Sequence, residues 1–177
     1  MKEDDGMKEI YEEFKVNRNL KNFIKQSFLI EGEVIGSKEL DTQMEEHKKL
    51  HEKIVGEKDE ENMYKHVVSF ADKLGGKLRK EYGLDVRVGD HLPPRGGPFV
   101  EYELIEMCKK IKDVRAEKHV LQFHIQFENL HPFTDGNGRT GRAIWWAQMC
   151  LLNKEHRLDL PLSFLQKFYY ETLSNSR

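Results

Sequence analysis

The stretch from His131 to Arg142, HPFTDGNGRTGR, gathers groups suited to a phosphorylated ligand. Gly136, Asn137 and Gly138 stand where a loop runs into a helix, so several backbone N–H groups there lack intrahelical acceptors. The two glycines let a ligand approach the backbone closely. Such a helix N-terminus is an anion site. Arg139 and Arg142 are three apart in the first turn and can face one side of it. Cations at that end oppose the helix dipole, which makes better sense if a polyanion lies between them, and guanidinium groups grip phosphate oxygens bidentately. Asp135 would repel that anion unless a hard cation such as Mg2+ lay between them. His131, with a free pKa of about 6.5, is largely neutral near pH 7 and able to accept a proton. Taken singly, each residue has a commoner role: a helix cap, surface cations, a cap carboxylate, a loop histidine. Their coincidence in one short stretch points to a magnesium-nucleotide phosphate cradle beside a base.

The elements that must position this stretch read as helices. A helix over 116–130 delivers His131, and one from 139 to about 152 carries the arginines. Upstream, apolar residues recur at near-helical spacing from 7 to 28, which predicts a short helix, a break near Asn17 to Asn19, and a second helix ending before Gly32. Ser37, with Glu39 and Asp41 behind it, predicts a capped helix to about Val55. Further helices are expected over 60–82, kinked at Gly75-Gly76, over 101–111, and over 162–173. Residues 85–100, DVRVGDHLPPRGGPFV, break the pattern with alternating valines, prolines and glycines, and predict an edge hairpin or extended flap followed by a loop. The class is all-α with one small β element.

Composition narrows the field. The 177 residues carry 29 Lys and Arg against 31 Asp and Glu, a net charge of −2, which argues against a general nucleic-acid binder. With 10 Phe, 2 Trp and 6 Tyr the chain should fold, and its length suits one compact domain. No apolar run approaches the roughly 20 residues of a membrane span. The start, MKEDDG, lacks a signal peptide's apolar core. Cys108 and Cys150 sit among apolar neighbours and suggest no disulfide framework. A cytoplasmic protein without membrane or nucleic-acid partners is the expectation.

The stretch resembles the signature of Fic-domain proteins, His-x-Phe-x-(Asp/Glu)-Gly-Asn-Gly-Arg-x-x-Arg, with every specified position filled. For equally frequent residues such a match arises on the order of once in ten billion windows. Arg87, Gly89 and Pro93-Pro94 resemble the family's flap; HIQFENLHPF and FYYETL also look like family patterns, so the resemblance runs from about 37 to 173. It implies the all-helical Fic fold, a compact bundle with a small β-hairpin flap over the active site. It also implies transfer of AMP from Mg2+-ATP to a Ser, Thr or Tyr hydroxyl of a target protein, the chain itself included, with release of pyrophosphate. By resemblance His131 would be the base and Asp135 the Mg2+ ligand. The amides of Gly136, Asn137 and Gly138 would form the anion hole, and Arg139 and Arg142 would hold the β and γ phosphates. Phe133 would anchor the loop. The flap, with Val86, Arg87, Val88 and Gly89, would pin an extended target segment by strand-like pairing. The second Gly of the signature speaks against the Doc-like branch, which carries Lys there and phosphorylates.

Upstream, Ser27 to Gly32, SFLIEG, is similar to the family's inhibitory pattern (Ser/Thr)-x-x-x-Glu-(Gly/Asn). The resemblance implies that Glu31 pairs with Arg142 and obstructs the γ-phosphate; a carboxylate reaching into such a cradle neutralises the arginine and repels the anion. The plain alternative is an ordinary helix end with Ser27 solvated. A Glu at a helix C-terminus is mildly unfavourable on dipole grounds, which a cationic partner would explain. Residues 1–36 would then form an N-terminal helical segment carrying the inhibitory motif, ahead of a Fic core over 37–177. Relatives also allow a homodimer. The same cradle could instead remove AMP from a modified target or use another nucleotide donor, or serve a non-catalytic module that binds nucleotide and peptide.

Other features read as structural. His47 and His51 have i, i+4 spacing but sit in a charged stretch that suggests a solvated face. His119 and His124 do not share a helix face, Trp145 and Trp146 suggest packing, and Tyr169 and Tyr170 suggest core or an adenine border. Gly75-Gly76-Lys77 lacks the rest of a P-loop.

Overall fold

In the computed structural model, the structure describes residues 17–154 and 174–175. The helix expected over 162–173 and the tyrosines in it lie outside them. The first described helix, α1, covers 17–30, so Asn17 to Asn19 are helical, and the short helix expected before them lies outside the described residues. Leu20, Phe23, Ile24 and Phe28 share its buried face. Its end is specified locally: the Gly32 N–H bonds Leu29 O at 3.0 Å and the Glu33 N–H bonds Phe28 O at 3.0 Å, with Gly32 at φ 76°. This is a Schellman closure, in which glycine supplies the left-handed residue. It fixes Glu31 and Glu33 on either side of Gly32.

Helix α2 spans Ser37–Gly56, but Gly36 rather than Ser37 is its N-cap and no side chain caps it. Its buried residues, Leu40, Gln43, His47, Leu50 and Ile54, recur every three or four positions. His47 is therefore buried rather than solvated: its ring meets Phe70 at 5.2 Å and Trp146 at 6.2 Å, and Nδ1 donates to Gln43 O at 2.7 Å. Burial pushes its pKa down to about 4.

The helix expected over 60–82 is a 3-10 turn, Glu60–Asn62, and a short α3, Met63–Lys73. Gly75-Gly76 ends the helix instead of kinking it. Gly76 N–H bonds Ala71 O and Gly75 N–H bonds Asp72 O, both at 3.0 Å, with Gly75 at φ 84°. Residues 77–79 then run beside the signature loop. The flap region is an extended loop with one antiparallel bridge, Val88 to His91, rather than a two-stranded hairpin. Pro93 and Pro94 follow without N–H groups to extend a ladder. Helix α4 begins at Pro98, earlier than expected, and spans Pro98–Lys109; proline suits a first helical position.

Helices α5, Glu117–Leu130, and α6, Asn137–Leu151, pack against each other, and α6 also contacts α2 and α3. Ala143, Ile144 and Ala147 are fully buried at the centre of this bundle with Phe127 and Phe133. Burying side chains of the Phe and Ile class contributes about 1.5–3 kcal/mol each. Among the described residues no helix is long and apolar enough to cross a membrane.

Candidate active site

The site lies where α5 ends and α6 begins. His131 is the C-cap of α5 in the left-handed conformation, φ 48° and ψ 60°, and its N–H bonds Phe127 O at 2.9 Å. The left-handed residue turns the chain out of the helix and leaves the imidazole 17% exposed, with Nδ1 4.0 Å from Glu128 Oε2. The loop that follows is held from both sides. Phe133 N–H donates to Asn137 Oδ1 at 2.9 Å, and Asn137 Nδ2 donates to Phe133 O at 2.8 Å. Residues 77–79 pair alongside: Arg79 N–H bonds Pro132 O and Thr134 N–H bonds Lys77 O, both at 2.9 Å. The Phe133 ring is fully buried, 6.2 Å from that of Phe127.

Helix α6 starts from Gly136, φ 68°, with no side-chain cap. An added Cβ at Gly136 would lie 3.1 Å from Leu74 Cβ, so the positive φ favours glycine and any side chain would crowd Leu74. The first amides of α6 have no intrahelical acceptors. The Gly136 amide donates to Asp135 Oδ1 at 2.6 Å. Asp135 is two-thirds exposed at the mouth of this turn, 3.5 Å from Arg139 Nη2. One accessible carboxylate beside a helix N-terminus is a donor that would fit a magnesium ion keeping waters and a ligand's oxygens as its other ligands. Among the described residues no group of three or more metal-ligating side chains forms a closed protein cage.

The two arginines are engaged by the end of α1. Arg142 is 1% exposed; its Nε donates to Ser27 Oγ at 2.8 Å, and Nη2 to Ser27 O at 2.9 Å and to Glu31 Oε1 at 2.5 Å. Arg139 Nη1 lies 3.1 Å from Glu33 Oε2, and its guanidinium stacks 5.4 Å above the Phe28 ring. The Glu31 carboxylate sits directly over Gly138: an added Cβ there would run into Oε1 and come within 2.9 Å of Arg142 Nη1. The space above the first turn of α6, where an anion would bind, is thus filled by a carboxylate of the same chain.

Beneath Arg142, His124 is buried against Trp145, with ring centroids 5.0 Å apart. Burial first, and the Arg142 charge second, push its pKa down to about 3 and keep it neutral. The flap residues Val86, Arg87, Val88 and Gly89 form the outer part of the extended loop, where Arg87 Nε donates to Gly89 O at 2.7 Å. His91 Nε2 ties that loop to Asn129 O of α5 at 3.1 Å. One residue of this region carries no sequence signal: Arg79, buried behind His131, whose partners are backbone carbonyls from distant segments.

The fold and site define a helical protein with an uncapped helix N-terminus, two flanking arginines and an adjacent histidine. A sequence profile of the Fic/DOC family matches residues 40–149, and the chain belongs to that family. The protein adenylyltransferase Fic of Aedes aegypti is 30% identical over 112 residues, 56% of this chain and 22% of that protein. That of Drosophila erecta is 29% identical over 92 residues, 49% of this chain and 18% of that protein. The match thus spans about a fifth of the length of these curated relatives. A Fic family protein from Desulfovibrio desulfuricans G20 has a similar fold, with a TM-score of 0.59 at 22% identity over 90% of this chain and 57% of that one.

Proposed function

We propose that this chain is a self-inhibited protein adenylyltransferase, moving AMP from magnesium-ATP to a hydroxyl of a target protein. The observation that carries the reading is the meeting of Ser27 and Glu31 with Arg142 over Gly138. A buried arginine at a helix N-terminus is costly without an anion, and a phosphate is the anion this turn is shaped to hold. In the active form the uncapped amides of α6 bind phosphate oxygens while Arg139 and Arg142 fix the outer phosphates. The imidazole of His131 takes the hydroxyl proton, the hydroxyl oxygen bonds to the α-phosphorus, and the bond to the β-phosphate oxygen breaks, releasing pyrophosphate. Asp135 would hold the magnesium ion, which supplies charge neutralisation on the leaving phosphates when bound. Transfer of this kind is mostly positioning plus charge stabilisation, so the site needs little other chemistry.

Inhibition follows from the same contacts. Glu31 occupies Arg142 and Glu33 occupies Arg139, so the end of α1 supplies a carboxylate to each phosphate-binding arginine. The segment ahead of Ser37 acts as an inhibitor of the core behind it. Val86 to Gly89 form the docking surface for an extended target segment.

The test is label transfer from ATP marked at the α-phosphate or at the γ-phosphate, into protein and lysate, with wild type and Glu31→Ala. The reading predicts strong α-label only in the variant. Label from the γ-phosphate alone means phosphorylation and sinks it. No label despite ATP binding removes the adenylyltransferase assignment in favour of AMP removal, another donor or a binding module.

A further inference from the structure

Arg79 has no solvent exposure, yet no carboxylate among the described residues bonds it. Its guanidinium is spent entirely on carbonyls: Nε on His131 O at 2.8 Å, Nη2 on Leu130 O at 3.0 Å, and Nη1 on Pro94 O at 2.9 Å and Leu84 O at 3.1 Å. Its own N–H bonds Pro132 O at 2.9 Å and its carbonyl accepts from Gly97 N–H at 2.8 Å. Burial lowers its pKa from the ordinary arginine value, opposed by the nearby charge of Asp85, but a guanidinium stays protonated.

Two of the four carbonyls, Leu130 and His131, are the orphan acceptors at the C-terminus of α5, where the helix dipole favours a cation. They flank the left-handed residue His131, a conformation that a non-glycine side chain keeps only when its surroundings over-determine it. The other two, Leu84 and Pro94, stand at either end of the segment carrying Val86 to Gly89. One rigid planar fork therefore joins the base to both ends of the flap.

We propose that Arg79 is a positioning residue that sets the register between His131 and the target-docking flap. Its activity readout rests on the adenylyltransferase reading. Transfer requires the target hydroxyl, pinned by the flap, to lie within hydrogen-bond reach of His131, and a misplacement of about 1 Å costs about 100-fold in rate. The nucleotide cradle, built from α6, is not bonded by the Arg79 side chain. Loosening Arg79 should therefore lower turnover and leave ATP affinity in place.

The test uses Arg79→Lys and Arg79→Met in a Glu31→Ala parent. Lysine keeps the charge and most of the volume but cannot reach four carbonyls in one plane. The expected result is a fall in kcat of about 100-fold for Arg79→Lys, with ATP affinity within about threefold of the parent. Amide hydrogen exchange should accelerate in 84–97 and 130–134 together, while α2 and α6 stay protected. Parent-like turnover in Arg79→Lys overturns the proposal, as does a loss of kcat matched by a loss of ATP affinity. Exchange that rises uniformly, or in one of the two segments alone, also overturns it. If the Glu31→Ala parent transfers no AMP, the adenylyltransferase reading fails, and the exchange pattern still decides the role of Arg79.

Discussion

Removing the Glu31 carboxylate should weaken the free protein and strengthen its grip on ATP by similar amounts, because one interaction governs both. Arg142 is almost fully buried, and its Nη2 holds Glu31 Oε1 at 2.5 Å while Glu31 is 35% exposed. A hydrogen bond between charged groups contributes about 1.5–3 kcal/mol, and partial exposure places this one near the middle, about 2 kcal/mol. Ser27 still bonds Arg142 in Glu31→Ala, so the arginine stays in place. The apo variant should melt about 4–8 °C below wild type, at roughly 2–4 °C per kcal/mol for a chain of this size. Phosphate no longer displaces a carboxylate, so ATP should bind about 30-fold tighter. At an ATP concentration equal to the wild-type Kd, wild type gains about 0.4 kcal/mol from binding and the variant about 2 kcal/mol. The two melting curves should therefore nearly coincide under that condition. Thermal melts with and without magnesium and a non-hydrolysable ATP analogue, with calorimetric titration for Kd, read both quantities. An unchanged apo melting temperature, or an equal ATP response in the two proteins, would refute the reasoning.

Gly141→Ala should destabilise by about 1–3 kcal/mol, although alanine normally favours a helix interior, because its Cβ would come 2.7 Å from Glu128 Oε1 and 3.0 Å from Phe127 Cδ1. A gain in melting temperature would contradict the packing described for α5 and α6. Asn137→Ala should cost about 2–4 kcal/mol in urea unfolding, since it leaves the buried N–H and C=O of Phe133 without their side-chain partner; a change under about 0.5 kcal/mol would exclude the clasp. His47 is held neutral in the fold, its pKa lowered from 6.5 to about 4, so the unfolded chain takes up the proton first as pH falls. Its stabilising contribution is complete above pH 6.5 and is lost progressively toward about pH 4. His47→Gln should flatten the stability profile in that window by up to about 1.4 kcal/mol per pH unit, and an unchanged slope would refute its burial.

What could be read from the chain is what its local chemistry dictates. The turn before α6 needs Gly136 in a left-handed conformation and carries arginines one helical turn apart, and both facts reside in adjacent residues. The glycine after Glu31 is likewise explained within six residues, by the Schellman closure of α1. In sequence Gly75-Gly76 reads as a kink, because two glycines signal flexibility without saying which carbonyls their amides will find. The start of α4 follows from Pro98, whose preference for a first helical position outweighs the loop character of the glycines before it. His47 was hidden by the charge of its neighbours, although Leu40, Gln43, His47, Leu50 and Ile54 form a regular stripe. Arg79 left no trace in pattern, since its partners are carbonyls of residues 84, 94, 130 and 131, and carbonyls have no sequence identity.

The most direct test of the account is the role of His131 once the inhibitory contact is gone. Turnover with α-labelled ATP and ATP affinity should be measured for Glu31→Ala and for Glu31→Ala/His131→Ala. If His131 is the base beside an independent phosphate cradle, the second substitution lowers turnover by about 100-fold to 10,000-fold, and ATP affinity stays within about threefold. Equal turnover in the two proteins, or a loss of ATP binding that matches the loss of turnover, would contradict the account.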